Sequence, residues 1–98
     1  MIQIVWQFKA AMGCSAEFEA QYGPAGAWVR LFEQSAGYCG TVLLRGEGGD
    51  YLTIDTWDSR ESFDEFKATH EREYNELDRR CEKLTESERF IGVFAAVS

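Results

Sequence analysis

The sequence predicts an α+β fold: one four-stranded antiparallel sheet with helices against it, in the order β-α-β-β-α-β. Three observations predict this. The chain opens on a stretch whose alternate residues are large and apolar. A glycine-rich turn at residues 46–49 joins two strand-like runs, the clearest hairpin in the sequence. The second of those runs, Tyr51 to Trp57, leads through Asp58-Ser59-Arg60-Glu61 into a helix with an aromatic face.

Residues 2–9 form the first strand. Ile2, Ile4, Trp6 and Phe8 share one parity, while Gln3, Val5, Gln7 and Lys9 share the other, a half-buried pattern. Ser15 stands where a helix starts, and Phe18 and Tyr22 lie one turn apart behind it. Gly23-Pro24 interrupts that helix, because proline lacks an amide donor and clashes with the preceding turn. The pattern resumes at Trp28, Val29, Leu31 and Phe32, so two helical pieces are expected, at 15–22 and 25–34. Gly37 is positioned as a left-handed cap.

Residues 38–45 form the second strand, and the third begins at Asp50 or Tyr51 and ends at Trp57. A four-residue loop pairs Arg45 with Asp50, Leu43 with Leu52, Gly40 with Asp55 and Tyr38 with Trp57. That register leaves open space beside Asp55, since Gly40 has no side chain. A helix over 59–69 carries Phe63 and Phe66, with His70 at its end. The stripe continues through Tyr74, Leu77, Cys81 and Leu84 over 71–83, as one bent helix or two pieces. Residues 90–97 read as the last strand, with Gly92 inside it.

This order is the split βαβ, or ferredoxin-like, plan, whose helices cover one face of the sheet. The strands nevertheless carry apolar residues on both parities, such as Leu52 and Ile54 against Tyr51 and Trp57. Leaving the second face wet exposes roughly 500 Å² of apolar surface, on the order of 12 kcal/mol. That approaches the whole stability of such a domain. A homodimer joined sheet to sheet is therefore expected.

Residues 1–98 suit a single domain. The formal net charge is −7, with no basic patch, which argues against nucleic-acid binding. No apolar run is long enough for a membrane span. The first residues lack the basic start and cleavage site of a signal peptide, so a cytoplasmic location is expected. Cys14, Cys39 and Cys81 are widely spaced and accompany one histidine, which gives no metal-ligand spacing; they read as thiols in a reducing compartment.

The run YLTIDTW followed by DSRESFDEF, after a hairpin strand GYCGTVLLR and before a C-terminal IGVF, resembles the antibiotic biosynthesis monooxygenase-like (ABM) family of dimeric α/β barrels. The resemblance spans nearly the whole chain in element order. It implies a ferredoxin-like protomer, a homodimer, and a pocket between sheet and helices in each subunit. Some members of that family oxidise aromatic polyketides or quinols with O₂ and no cofactor, and others degrade heme. Trp57 matches the tryptophan that ends the third strand in the polyketide oxidisers. Thr53 and Phe63 stand where those enzymes have asparagine and tyrosine, and Phe66 stands where the quinol oxidisers have histidine. The heme-degrading set meets Gln7, Phe66 and Glu76 here.

A cofactor-free oxygenase needs a base near working pH in an apolar cavity. The two candidate bases are Asp55, on a central strand, and His70, one turn after Phe66. Pocket walls are expected from Trp6, Trp28, Trp57, Phe63, Phe66 and Tyr74, the last with a hydroxyl able to bond a ligand. No metal and no cofactor are expected. The activity implied is oxidation of a small aromatic or quinol by O₂. The same lining also fits a non-catalytic dimer that binds a small hydrophobic molecule, and heme binding through His70 is the third reading.

Overall fold

The computed structural model describes residues 1–97. Strand β1 (Ile2–Ala10) leads to helices α1 (Ser15–Tyr22) and α2 (Ala27–Phe32). Strands β2 (Tyr38–Arg45) and β3 (Asp50–Trp57) form the hairpin. Helices α3 (Arg60–Thr69) and α4 (Glu71–Cys81) and a single 3₁₀ turn (Glu82–Leu84) precede β4 (Thr85–Phe94). The sheet order is β2-β3-β1-β4, with every neighbouring pair antiparallel. This is the ferredoxin-like fold anticipated from the element order.

The helices cover one face of the sheet. Ile4 and Phe8 of β1 and Tyr51 and Trp57 of β3 point into that layer and are buried with Phe18, Phe32, Phe66, Leu77 and Leu84. Trp57 and Phe18 are fully enclosed. Helix α3 starts where expected: the Ser62 amide donates to Ser59 Oγ at 3.1 Å, so Ser59 is the cap. The chain breaks at His70, so of the two arrangements left open the two-helix one is found.

Four local expectations are corrected. Cys39 is an extra residue in β2, so Tyr38 still faces Trp57 but Thr41, not Gly40, faces Asp55, and Arg45 faces Tyr51. Gly40 sits in this bulge with φ +133°, a conformation that favours glycine. Gly37 is not left-handed; it is required because a Cβ there would lie 2.5 Å from that of Ser62. Helix α2 is shorter than its pattern, with Gly26 before it and Glu33 ending it. Finally, β4 begins at Thr85 and ends at Phe94. Its first half, TESER, is too polar to read as a strand, but an edge strand pairs through its backbone and needs no apolar alternation.

The opposite face of the sheet has no cover in the protomer. Val42 and Leu44 of β2 and Phe94 of β4 are 50%, 45% and 49% exposed. Leu52, Ile54 and Val5 lie between them in register, only half-buried. Among the described residues, no helix is long and apolar enough to cross a membrane.

Candidate functional site

A cavity of about 210 Å³ lies between the helix-side face of the sheet and helices α2 and α4. Its sheet side is built by Trp6 and Phe8 of β1, Thr41 of β2, and Thr53 and Asp55 of β3. Tyr22, Trp28 and Phe32 close it from the first helical pair, and Tyr74 from α4. Trp28 and Tyr74 meet edge-on with centroids 5.1 Å apart, and Phe8 and Tyr22 lie 4.9 Å apart. Exposed side chains of Lys67, Asp78 and Glu88 form the rim.

Asp55 is the one carboxylate set deep in this aromatic lining. Burial pushes its pKa up to about 6, against the opposing effect of a hydrogen bond from Thr41. Thr41 Oγ1 donates to Asp55 Oδ1 at 2.6 Å. The Tyr38 hydroxyl lies 2.5 Å from the same Thr41 oxygen. Thr41 has a single hydroxyl proton, committed to the carboxylate, so Tyr38 must be the donor in that contact. Two hydroxyls in series therefore point their dipoles at Asp55. Tyr38 is itself held between Phe32 and Trp57, each 5.4 Å away. Around the cavity, burial also raises the Tyr74 hydroxyl to about 12, helped by the charges of Asp78, Asp55 and Glu88. Burial pushes Tyr22 up further, and it raises the Glu88 carboxyl with help from Asp78.

No family model matches the sequence, and no curated protein matches it significantly. Solved structures do match. SnoaB, a cofactor-independent oxygenase from Streptomyces nogalater, superposes with a TM-score of 0.79 at 20% identity, over 99% of this chain and 93% of that one. A protein described as an antibiotic biosynthesis monooxygenase gives 0.69 at 15% identity, with both chains covered completely. A mutant of MhuD, solved with two manganese protoporphyrin IX molecules bound per active site, gives 0.74 at 20% identity, over 100% and 96% of the two chains. The fold is that of the antibiotic biosynthesis monooxygenase-like proteins. At these identities the likeness carries the architecture and leaves the chemistry to the residues of this chain.

Within this ABM-like fold, the residues singled out from sequence fall into three groups. Asp55, Trp6, Trp28 and Tyr74 line the cavity. Trp57, Phe63 and Phe66 do not; they form an aromatic cluster behind it, with Trp57 5.3 Å from Phe63 and 5.2 Å from Phe66. Trp57 supports the wall through Phe32 at 5.6 Å instead of contributing to it. His70 stands apart, in a surface groove at the junction of α3 and α4, with Nδ1 2.9 Å from Glu73 and its ring against Phe66.

Sequence reasoning missed Thr41, Phe8, Tyr22, Phe32, Lys67, Asp78 and Glu88. The parity of Phe8 with Trp6, and the spacing of Tyr22 behind Phe18, carried a signal for two of them. Thr41 carried none, because its facing depends on the bulge at Cys39. Glu88 was hidden in the polar half of β4. Among the described residues, no group of His, Cys, Asp and Glu side chains is arranged to hold a metal ion.

Proposed function

We propose that the protein is a cofactor-independent monooxygenase that oxidises a small aromatic or quinol-type substrate with O₂. One observation carries the reading: a buried carboxylate with its pKa pushed up to about 6 stands inside an aromatic cavity, held by two hydroxyls in series. Asp55 is the base, and Trp6, Trp28 and Tyr74 hold the ring of the substrate. The cavity, about 210 Å³, is below the usual range of roughly 300–1,000 Å³ for ligand sites, which limits the substrate to a few rings.

Asp55 removes a proton from an electron-rich phenol or its tautomer. The resulting anion passes one electron to O₂, and the radical pair combines at a ring carbon bearing hydrogen. Loss of water from the hydroperoxide leaves a carbonyl. One oxygen atom enters the product and the other leaves as water, with both hydrogens and all the electrons drawn from the substrate. The aromatic lining keeps water away from the anion while this happens.

The protein acts as a homodimer joined through the uncovered sheet face, where Val42, Leu44, Leu52 and Ile54 form an apolar patch with Val5 beside it and Phe94 on the β4 edge. A cytoplasmic setting suits its three free thiols, one of them exposed.

The deciding experiment follows O₂ uptake without added cofactor across quinols and small polycyclic phenols. Uptake by the wild type that collapses in Asp55→Asn and persists in His70→Ala identifies the base. Absence of uptake with every compound, alongside saturable quenching of tryptophan fluorescence by the same compounds, assigns the cavity to a non-catalytic binding protein instead. The heme reading draws support from the relative that binds a porphyrin, but the sole histidine lies outside this cavity's lining.

A further inference from the structure

The cavity lining carries buried polar groups in two places along the sheet. Asp55 stands in register with Ile4 of β1, whereas the Tyr22 ring packs 4.9 Å from Phe8, four residues further along that strand, roughly 13 Å at the usual rise. Both line the cavity, with Trp6 on the strand between them. Tyr22 is only 7% exposed, and burial keeps its hydroxyl in the protonated, donating form. Trp28, 8% exposed, lines the cavity as well, and its Nε1 is one of two buried side-chain polar atoms without a hydrogen-bond partner among the described residues. The other, Trp57 Nε1, belongs to the aromatic cluster behind the cavity. An indole N–H can only donate. Its polar neighbours are the Tyr22 hydroxyl and the Cys81 thiol; it favours the charged form of each, yet makes a well-formed hydrogen bond with neither. Of the two, the Tyr22 oxygen is the better acceptor, and the thiol is a weak one for the Tyr22 proton. The pair is two donors short of a good acceptor, on the wall of a cavity.

We infer that the substrate carries a second oxygen, conjugated through its ring system with the hydroxyl that Asp55 deprotonates, and that Tyr22, oriented by Trp28, donates a hydrogen bond to it. This rests on the cavity being the substrate site and Asp55 its base. When the phenol proton passes to Asp55, the electron pair left behind spreads through the rings onto the far oxygen. A donor fixed at that end meets negative charge that grows as the proton leaves, which is how a developing oxyanion is stabilised. The ligand draws the Tyr22 proton toward itself, and the Trp28 N–H closes on the Tyr22 oxygen behind it; contacts that are long in the free protein tighten in this way in a complex. The ligand class is a hydroxyaryl carbonyl compound with its hydroxyl and its carbonyl at opposite ends of two fused rings. Tyr22 is then a catalytic residue, and Trp28 positions it.

The test uses the full chain with 6-formyl-2-naphthol and its near-isostere 6-vinyl-2-naphthol, which lacks the acceptor oxygen. Binding is read by calorimetry, and the bound formyl compound by its absorption band. The expected result is about fivefold tighter binding of the formyl compound, the size of one hydrogen bond. Tyr22→Phe keeps the ring that stacks on Phe8 and Phe18 and removes only the donor. In that variant the two affinities come within about twofold of each other, and the absorption band of the bound formyl compound moves to the blue of its position in the wild type. Trp28→Phe, which removes the N–H that orients Tyr22, lowers the preference part of the way; it carries the test should Tyr22→Phe fail to fold. Equal affinities in the wild type, or a preference and a band position that survive both variants, overturn the inference and leave the aromatic site standing. Failure of both compounds to bind overturns the reading of the cavity as well.

Discussion

Thr41 and Asp55 face each other across the β2–β3 hairpin, and the 2.6 Å hydrogen bond between them makes the threonine a control on the carboxylate's proton affinity. A hydrogen bond to the ionised form favours ionisation, whereas the surrounding aromatic wall disfavours it, and the wall has the larger effect. The result is a carboxyl that is largely ionised at neutral pH yet still basic enough to accept a proton.

Removing the base should stop the reaction. Asp55→Asn preserves size and is expected to lower kcat/KM for O₂ uptake by about 10²- to 10⁴-fold, the usual range for a lost general base. In the wild type the acidic limb of the kcat/KM profile should have its midpoint near pH 6.

The same carboxylate opposes folding. The pKa of Asp55 is raised in the folded state from 3.8 to about 6, so the native protein holds the proton more tightly than the unfolded chain. Stability from this group is greatest below pH 4 and is lost as pH rises through 6. Asp55→Asn should therefore stabilise the protein above pH 6, by up to about 3 kcal/mol, with the difference vanishing near pH 4. Urea melts of both proteins at pH 4 and pH 7.5 measure it.

Thr41→Val removes the hydrogen bond to the ionised carboxylate and should move the acidic limb of the rate profile upward. Tyr38→Phe should move it the same way by less, because Tyr38 acts through Thr41. An unmoved limb in both variants, with activity otherwise normal, would break the link between the hydroxyl pair and Asp55.

Trp57 and Trp28 should separate stability from binding. Trp57→Ala deletes a fully enclosed ring and is expected to cost about 3–5 kcal/mol of folding free energy. Trp28→Phe keeps an aromatic ring in the wall, so ligand affinity should drop severalfold with a smaller loss of stability. Chemical denaturation and a binding titration on each variant distinguish the two roles.

The uncovered sheet face should govern assembly. Ile54→Lys places a charge at the centre of the apolar strip, between Val42 and Val5. It is expected to convert a dimer to a monomer in sedimentation velocity while the helix-side core, on the other face, stays intact.

The sheet and its helix cover were legible because they follow from periodicities that act over eight or more residues. What failed depends on single residues. The extra Cys39 shifts β2 from Gly40 to Arg45 by one place, and with a period of two that shift decides which side chain meets Asp55. Trp57 and Trp28 carry similar signals in sequence, yet one is sealed by Phe32, Tyr38, Phe63 and Phe66 and the other faces open space. Burial alone does not tell a wall from its support. The rim was invisible for another reason: Lys67, Asp78 and Glu88 come from three elements, and only the closed fold brings them around one opening.

The sheet divides the protomer into two territories, the cavity on the helix side and the apolar strip on the other. In a dimer seated on the strip, as proposed, both sheets stand between one cavity and its twin, so an intermediate released from one has no internal route into the other. Saturation curves should accordingly be simple hyperbolas, and a mixed dimer with one inactivated subunit should keep half the turnover.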